Sequence, residues 1–237
     1  MDPVLITGGA RRLGATMARS LVAAGYRVVI HARRADAQTE SLCTDLNARL
    51  VLGDLSDPDV PARLVAEAGP LSGLINNASR FEFDSPASVT AADILAHIGP
   101  NLTAPVLLAQ AFAASRPAAG VIINILDQKL SNLNPDFFSY TLTKAALAAA
   151  SEMMAQAFAP HIRVCGIAPG ITLPPPGMAP ARFAEVWRAN PLQRGAAPED
   201  IAQAALYIMR TPSVTGTTLV VDGGEHLMHR PKDVSFE

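Results

Sequence analysis

Val4-Leu-Ile-Thr-Gly-Gly-Ala-Arg-Arg-Leu-Gly14 is the stretch that decides the fold of this chain. A short apolar run stops at a glycine-rich turn, and an Ala/Leu-rich segment follows. Strand, tight turn and helix in that order form the unit with which a doubly wound sheet sets backbone N–H groups and a positive helix end against a pyrophosphate. Gly8 and Gly14 permit the turn and a close approach of the ligand.

Outward from this unit the alternation continues. Strands are predicted at 3–7, 27–31, 49–52, 73–76, 120–125, 162–167 and 217–221. Most are continuously apolar, as strands covered on both faces should be. Helices are predicted at 13–24, 37–47, 59–68, 90–113, 138–159 and 198–210. Ser56-Asp57-Pro58 and Ala197-Pro198-Glu199-Asp200 mark two of their starts. Such alternation implies right-handed crossovers. The fold class is therefore α/β, a Rossmann-like, doubly wound, mostly parallel seven-stranded sheet with helices on both faces.

Residues 1–237 read as one domain, without repeats or a dividing linker. Residues 170–197, with Pro174-Pro-Pro176, Gly177, Pro180 and Pro191, break the pattern and read as a substrate lid. The tail after Gly224 is polar and is expected on the surface or on a partner subunit.

Composition narrows the function. Hydrophobic residues make up 49% and charged residues 17%, enough for a large core. A net charge of −2 supplies no basic field for nucleic acid or an anionic membrane. No apolar run approaches the ~20 residues of a membrane span, and no signal peptide is read at the N-terminus. Cys43 and Cys165 are far apart and read as buried free thiols, which suits a reducing cytoplasm. The five histidines form no ligand cluster, so no metal site is expected.

The second strand ends in Ile30-His-Ala-Arg-Arg34. An NAD-binding fold usually has an acid there for the ribose hydroxyls. Here His31 is followed by Arg33 and Arg34, with no acid before Asp36. Arg12 in the first turn points to the same neighbourhood. Guanidinium groups suit a 2′-phosphate, so the cofactor is read as NADP(H).

Tyr140-Thr-Leu-Thr-Lys144 puts a phenol and an ammonium on one helix face. A neighbouring cation favours the phenolate, so Lys144 is expected to lower the pKa of Tyr140 and make it a general acid/base. Asp127 lies upstream, at the end of Ile122-Ile-Asn-Ile-Leu126.

These motifs, with Asp54-Leu55, Asn76-Asn-Ala78, Asn101, Pro169-Gly170 and Val221-Asp-Gly-Gly224, resemble the short-chain dehydrogenase/reductase family over nearly the whole chain. The resemblance implies a nicotinamide cofactor and often a tetramer. It places Leu13 in the phosphate turn, Asp54 and Leu55 at the adenine, and Asn77 and Ala78 near the ribose. Pro169, Gly170 and Ile171 would complete the cofactor site. Lys144 would bind the nicotinamide ribose as well as tune Tyr140, and Asn101 would hold a proton-relay water.

Two departures, Arg12 for the usual Gly and Asp127 for the usual Ser, resemble the pteridine reductase branch. So does Asn76-Asn-Ala-Ser-Arg-Phe81. On that resemblance Ser79 touches cofactor phosphate and substrate, and Phe81 stacks on the substrate ring. Met178, Phe183 and Trp187 are the apolar candidates of the lid.

The chemistry agrees. An ionised Asp127 would repel the oxyanion of carbonyl reduction, where a Ser hydroxyl would stabilise it. Reduction of a C=N bond instead delivers a proton to nitrogen, which a carboxyl–phenol pair can supply. The reading is an NADPH-dependent reductase of pteridine rings. The alternatives are a reductase of a carbonyl or another imine, and a non-catalytic NADPH-binding regulator. Small residues encircling 138–159 suggest close packing against a second copy, hence a homotetramer.

Overall fold

Seven strands form in the computed structural model: β1 (Val4–Ile6), β2 (Val28–Ala32), β3 (Arg49–Leu52), β4 (Gly73–Asn76), β5 (Gly120–Ile125), β6 (Ile162–Pro169) and β7 (Thr218–Val221). They pair in parallel in the order β3-β2-β1-β4-β5-β6-β7, so the expected sheet is present. The structure describes residues 2–115, 117–175 and 177–233. Pro176 and the last four residues of the tail lie outside the described residues.

The unbroken apolar runs have a simple cause. Successive side chains of a strand point to opposite faces, and both faces are covered. In β1, Val4 and Ile6 enter one core with α1 (Arg12–Ala23) and α8 (Pro198–Arg210). Leu5 enters the other, with α3 (Val60–Ala68) and α5 (Ala104–Ala114). The remaining helices are α2 (Ala37–Asp45), α4 (Ala91–Ile98), α6 (Phe138–Phe158) and α7 (Pro180–Arg188).

Two regions correct the sequence reading. The single helix expected at 90–113 is α4 and α5 joined by a π turn, Gly99–Thr103. Pro100 has no N–H to donate, and a wider turn accommodates that loss. Inside the lid segment 170–197, α7 forms, a helix absent from those predicted.

Buried polar groups tie the sheet to its helices. Asn76 Nδ2 donates to Asn124 Oδ1 at 2.8 Å, and Asn124 Nδ2 donates to Ser151 Oγ at 2.8 Å. This chain joins β4, β5 and α6. Asp84, from a distant loop, accepts from the Ser139 N–H at 3.0 Å and so caps the first turn of α6.

Candidate active site

The strand order reverses beside β1, with β2 on one side and β4 on the other, and a cleft of about 690 Å³ opens there. Gly8, with φ +59°, makes the turn after β1. A Cβ on Gly14 would stand 2.2 Å from the Gly8 carbonyl oxygen, so only glycine fits. Arg12 adopts φ +50°, a left-handed conformation that costs a side-chain-bearing residue about 1 kcal/mol. Its guanidinium donates to the Pro174 carbonyl at 3.4 Å, and it lines both this cleft and the next.

The other walls come from the ends of neighbouring strands. Thr7 Oγ1 accepts from the N–H groups of Asn77 and Ala78 at 2.9 and 3.0 Å, fixing the segment after β4. Asn77 Nδ2 donates to the carbonyls of Thr7 and Gly8. Asp54 Oδ1 accepts from Ser56 N and Oγ at 3.0 and 2.7 Å. Those bonds, with the charges of Arg33 and Arg34, hold its carboxyl below the usual range.

Leu13, Leu55, Ser79 and Arg33 also line the cleft, whereas Arg34 does not. His31 is reached by the cleft, but both its ring nitrogens are engaged. Nδ1 accepts from Gly8 N–H at 3.3 Å, and Nε2 stands 3.0 Å from the Gly53 carbonyl. Burial lowers its pKa, which favours the neutral ring that this pair of contacts needs. His31 therefore braces the turn from behind.

A second cavity, about 510 Å³, lies beyond the C-terminal ends of β5, β6 and β7. Asp127 follows β5 and lines it. Tyr140 Oη donates to Asp127 Oδ2 at 2.8 Å. Lys144 Nζ donates to the Ile125 carbonyl at 2.7 Å and stands 5.5 Å from the centre of the Tyr140 ring.

Burial, reinforced by the Asp127 charge, raises the Tyr140 pKa well above that of a free phenol. This corrects the expectation that Lys144 would lower it. The ammonium is turned to a backbone carbonyl, while the carboxylate stands at the phenol. Burial also raises Asp127, and it brings Lys144 down to about 8.

Asn101 sits on the π turn. Its Oδ1 accepts from Arg80 N–H and Ser79 Oγ at 2.7 and 3.2 Å. Its Nδ2 donates to the Arg80 carbonyl and Thr143 Oγ1 at 2.9 and 3.2 Å. Two acceptor and two donor places of its side chain are thus filled by protein. Here Asn101 fixes Ser79 and Arg80.

Phe81 is half exposed and lines both cavities. Its ring stacks on Phe137 with centroids 4.1 Å apart and meets Tyr140 edge-on at 4.7 Å. Pro169, Gly170, Ile171 and Met178 also line the substrate-side cavity. Phe183 and Trp187 are not among its lining residues. Trp187 packs on Gly195, where an added Cβ would come within 2.5 Å of the indole. Val186, one residue earlier on α7, is buried and takes the place at the wall.

The tail is the larger surprise. Glu225, Arg230, Lys232 and Asp233 line the cavity of their own chain, while Leu227, His229 and Pro231 are exposed, in keeping with the expected surface position. Asn132 Nδ2 donates to the Met228 carbonyl, and Asp233 N–H donates to Asp136 Oδ2 at 2.7 Å. Lys129, buried next to Asp127, stands 3.6 Å from Asp233 Oδ2. Sequence reasoning also missed Gln128 and Lys129. Glu225 had one usable signal, its position four residues beyond a parallel strand's C-terminal end, where such sheets place ligands.

A family model described as enoyl-(acyl carrier protein) reductase matches residues 8–226. A crystal structure of FolM alternative dihydrofolate reductase 1 from Brucella canis, complexed with NADP, superposes with a TM-score of 0.88. It is 37% identical over 95% of this chain and 94% of its own. Pteridine reductase 1 of Leishmania tarentolae is 30% identical over 94% of this chain and 96% of its own. L-xylulose reductase of Bos taurus is 30% identical over 93% and 94%.

Proposed function

The chain belongs to the short-chain dehydrogenase/reductase family, and from that membership we propose that it is an NADPH-dependent reductase of pteridine rings. The observation that carries this reading is the 2.8 Å hydrogen bond from Tyr140 to Asp127, with Phe81 edge-on to the phenol. A carboxylate stands where carbonyl reduction would want a neutral donor for an oxyanion. Beside a ring nitrogen, the same carboxyl–phenol pair is a proton source.

The nucleotide cleft fits NADPH. The Gly8–Gly14 cradle is too tight for a Cβ, and Arg12 and Arg33 bring guanidinium groups for phosphate. When bound, the reduced nicotinamide supplies the hydride. The high pKa of Tyr140 keeps its proton in place until the ring nitrogen takes it. Lys144 then offsets the negative charge left on the pair, and Asp127 orients the phenol. Gly170 and Ile171 shape the wall near the reacting atoms, and Ser79 and Phe81 flank the ring. Residues 170–197 act as the lid of a single domain, with Met178 and Val186 as its apolar contacts.

The relatives support this reading, since two of them are named for the reduction of dihydrofolate and of pteridines. The L-xylulose reductase favours a second reading, reduction of a carbonyl. We further infer a cytoplasmic homotetramer. Leu142 and Met153 on α6 are 47% and 69% exposed, apolar area that a second copy would cover.

The test is spectrophotometric. Purified protein and NADPH are mixed with pterins, dihydrofolate, quinones and ketones. Pteridine turnover, lost in Tyr140→Phe with NADPH binding intact, is the expected result. Ketone turnover without any pteridine turnover would overturn the reading.

A further inference from the structure

Glu225 has no part in the chemistry described so far, yet it is a carboxylate only 2% exposed in the substrate-side cavity. Its Oε2 accepts from Ile171 N–H at 3.2 Å. Its Oε1 stands 4.0 Å from Arg230 Nε, an ion pair too long for a hydrogen bond. An ionised carboxylate offers about four acceptor positions, so both oxygens keep capacity for another donor.

Burial raises its pKa to about 7, further helped by the charges of Asp127 and Asp222 and opposed by Ile171 N–H and Arg230. The charge is thus poorly compensated by the protein alone. Gln128 lines the same cavity, and its buried Oε1 has no hydrogen-bond partner among the described residues. Two acceptor-bearing side chains thus stand on one cavity wall beside the Arg230 guanidinium, and a ligand that presents N–H groups would complement the acceptors.

We propose that Glu225 is a specificity-determining residue that binds the amino–N–H edge of an aminopyrimidinone ring, with Gln128 as a further acceptor on the same wall. This rests on the pteridine reading and sharpens it. An aminopyrimidinone offers two adjacent, parallel N–H donors, which a carboxylate accepts together. The dioxo analogue replaces one donor with an acceptor and sets a carbonyl oxygen against the carboxylate. A glutamine at position 225 offers one acceptor and one donor, which matches the dioxo edge instead.

The experiment measures binding of pterin and of lumazine, in which oxygen replaces the exocyclic amine. Equilibrium dialysis is run on the full chain saturated with NADP+, for the natural protein, Glu225→Gln and Glu225→Asp. The natural protein should prefer pterin by at least about tenfold, the discrimination expected when a buried group loses its donor. Glu225→Gln should bring the two ligands within about threefold or reverse their order. Glu225→Asp should keep the pterin preference at lower affinity, and a thermal melt confirms that each variant is folded. Binding of both ligands with the same ratio in the natural protein and in Glu225→Gln would overturn the role of Glu225 alone. Binding of neither ligand to the natural protein would overturn this inference together with the pteridine reading.

Discussion

Replacing Glu225 with Gln should flatten the fall in folding stability between pH 4.5 and about pH 7. The carboxyl titrates near 4.5 in a free chain and at about 7 in the folded cavity. Below pH 4.5 it is protonated in both states and costs nothing. As pH rises, the unfolded chain releases its proton first, so unfolding becomes easier until the folded group also ionises near 7. Each pH unit in that window is worth about 1.36 kcal/mol, which gives a loss of about 3 kcal/mol as an upper value. Screening by water is small for a side chain 2% exposed. Glutamine nearly preserves the shape and the acceptor for Ile171 N–H but cannot titrate. Urea denaturation of the natural protein and the variant from pH 4 to 8 isolates the effect, because carboxyl groups that do not interact with Glu225 contribute equally to both. The variant should gain on the natural protein by about 2–3 kcal/mol across the window. Parallel curves, with a gain under about 0.5 kcal/mol, would mean that Glu225 ionises as freely in the fold as in water.

Arg33→Ala should weaken NADPH relative to NADH by about tenfold, since a guanidinium–phosphate contact is the strong kind of charged hydrogen bond. Titration of nucleotide fluorescence measures both constants, and an unchanged ratio would remove Arg33 from the phosphate site. Light scattering at micromolar concentration should find four chains per particle. A monomer would refute the inferred assembly and leave Leu142 and Met153 as isolated apolar surface.

The fold was legible because its strands are buried on both faces. Val4, Leu5 and Ile6 are all fully buried although they point in two directions, so an unbroken apolar run was the right signal. The glycines of the first turn were legible for a similar reason, because the clash at Gly14 is a backbone property. The lid was less legible. Two of its apolar candidates, Phe183 and Trp187, share one helix, and sequence does not say which side of α7 faces the cavity. Val186 does so and Trp187 packs on Gly195. The tail was least legible. Its binding to the loop of Asn132 and Asp136 consists of side-chain and backbone contacts across 96 and 97 residues. No local periodicity reports contacts of that kind.

The same distinction governs the Tyr140–Lys144 pair. Their spacing on one helix face was certain from sequence, but the sign of the electrostatic effect was not. That sign depends on which charge stands nearest the phenolic oxygen. Asp127 accepts from it at 2.8 Å, while the ammonium is held by the Ile125 carbonyl. The phenol is therefore kept protonated. A site built to abstract a proton from an alcohol would need the opposite bias, a phenolate favoured at neutral pH. A site built to give a proton to a ring nitrogen gains from a phenol that resists loss to water and releases its proton only to a base formed within the cavity. Lys144, lowered to about 8 by burial, remains mostly charged at neutral pH and can offset the anion once the proton has moved. On the proposed reading, Asp127 therefore holds the phenol as a proton donor for a ring nitrogen.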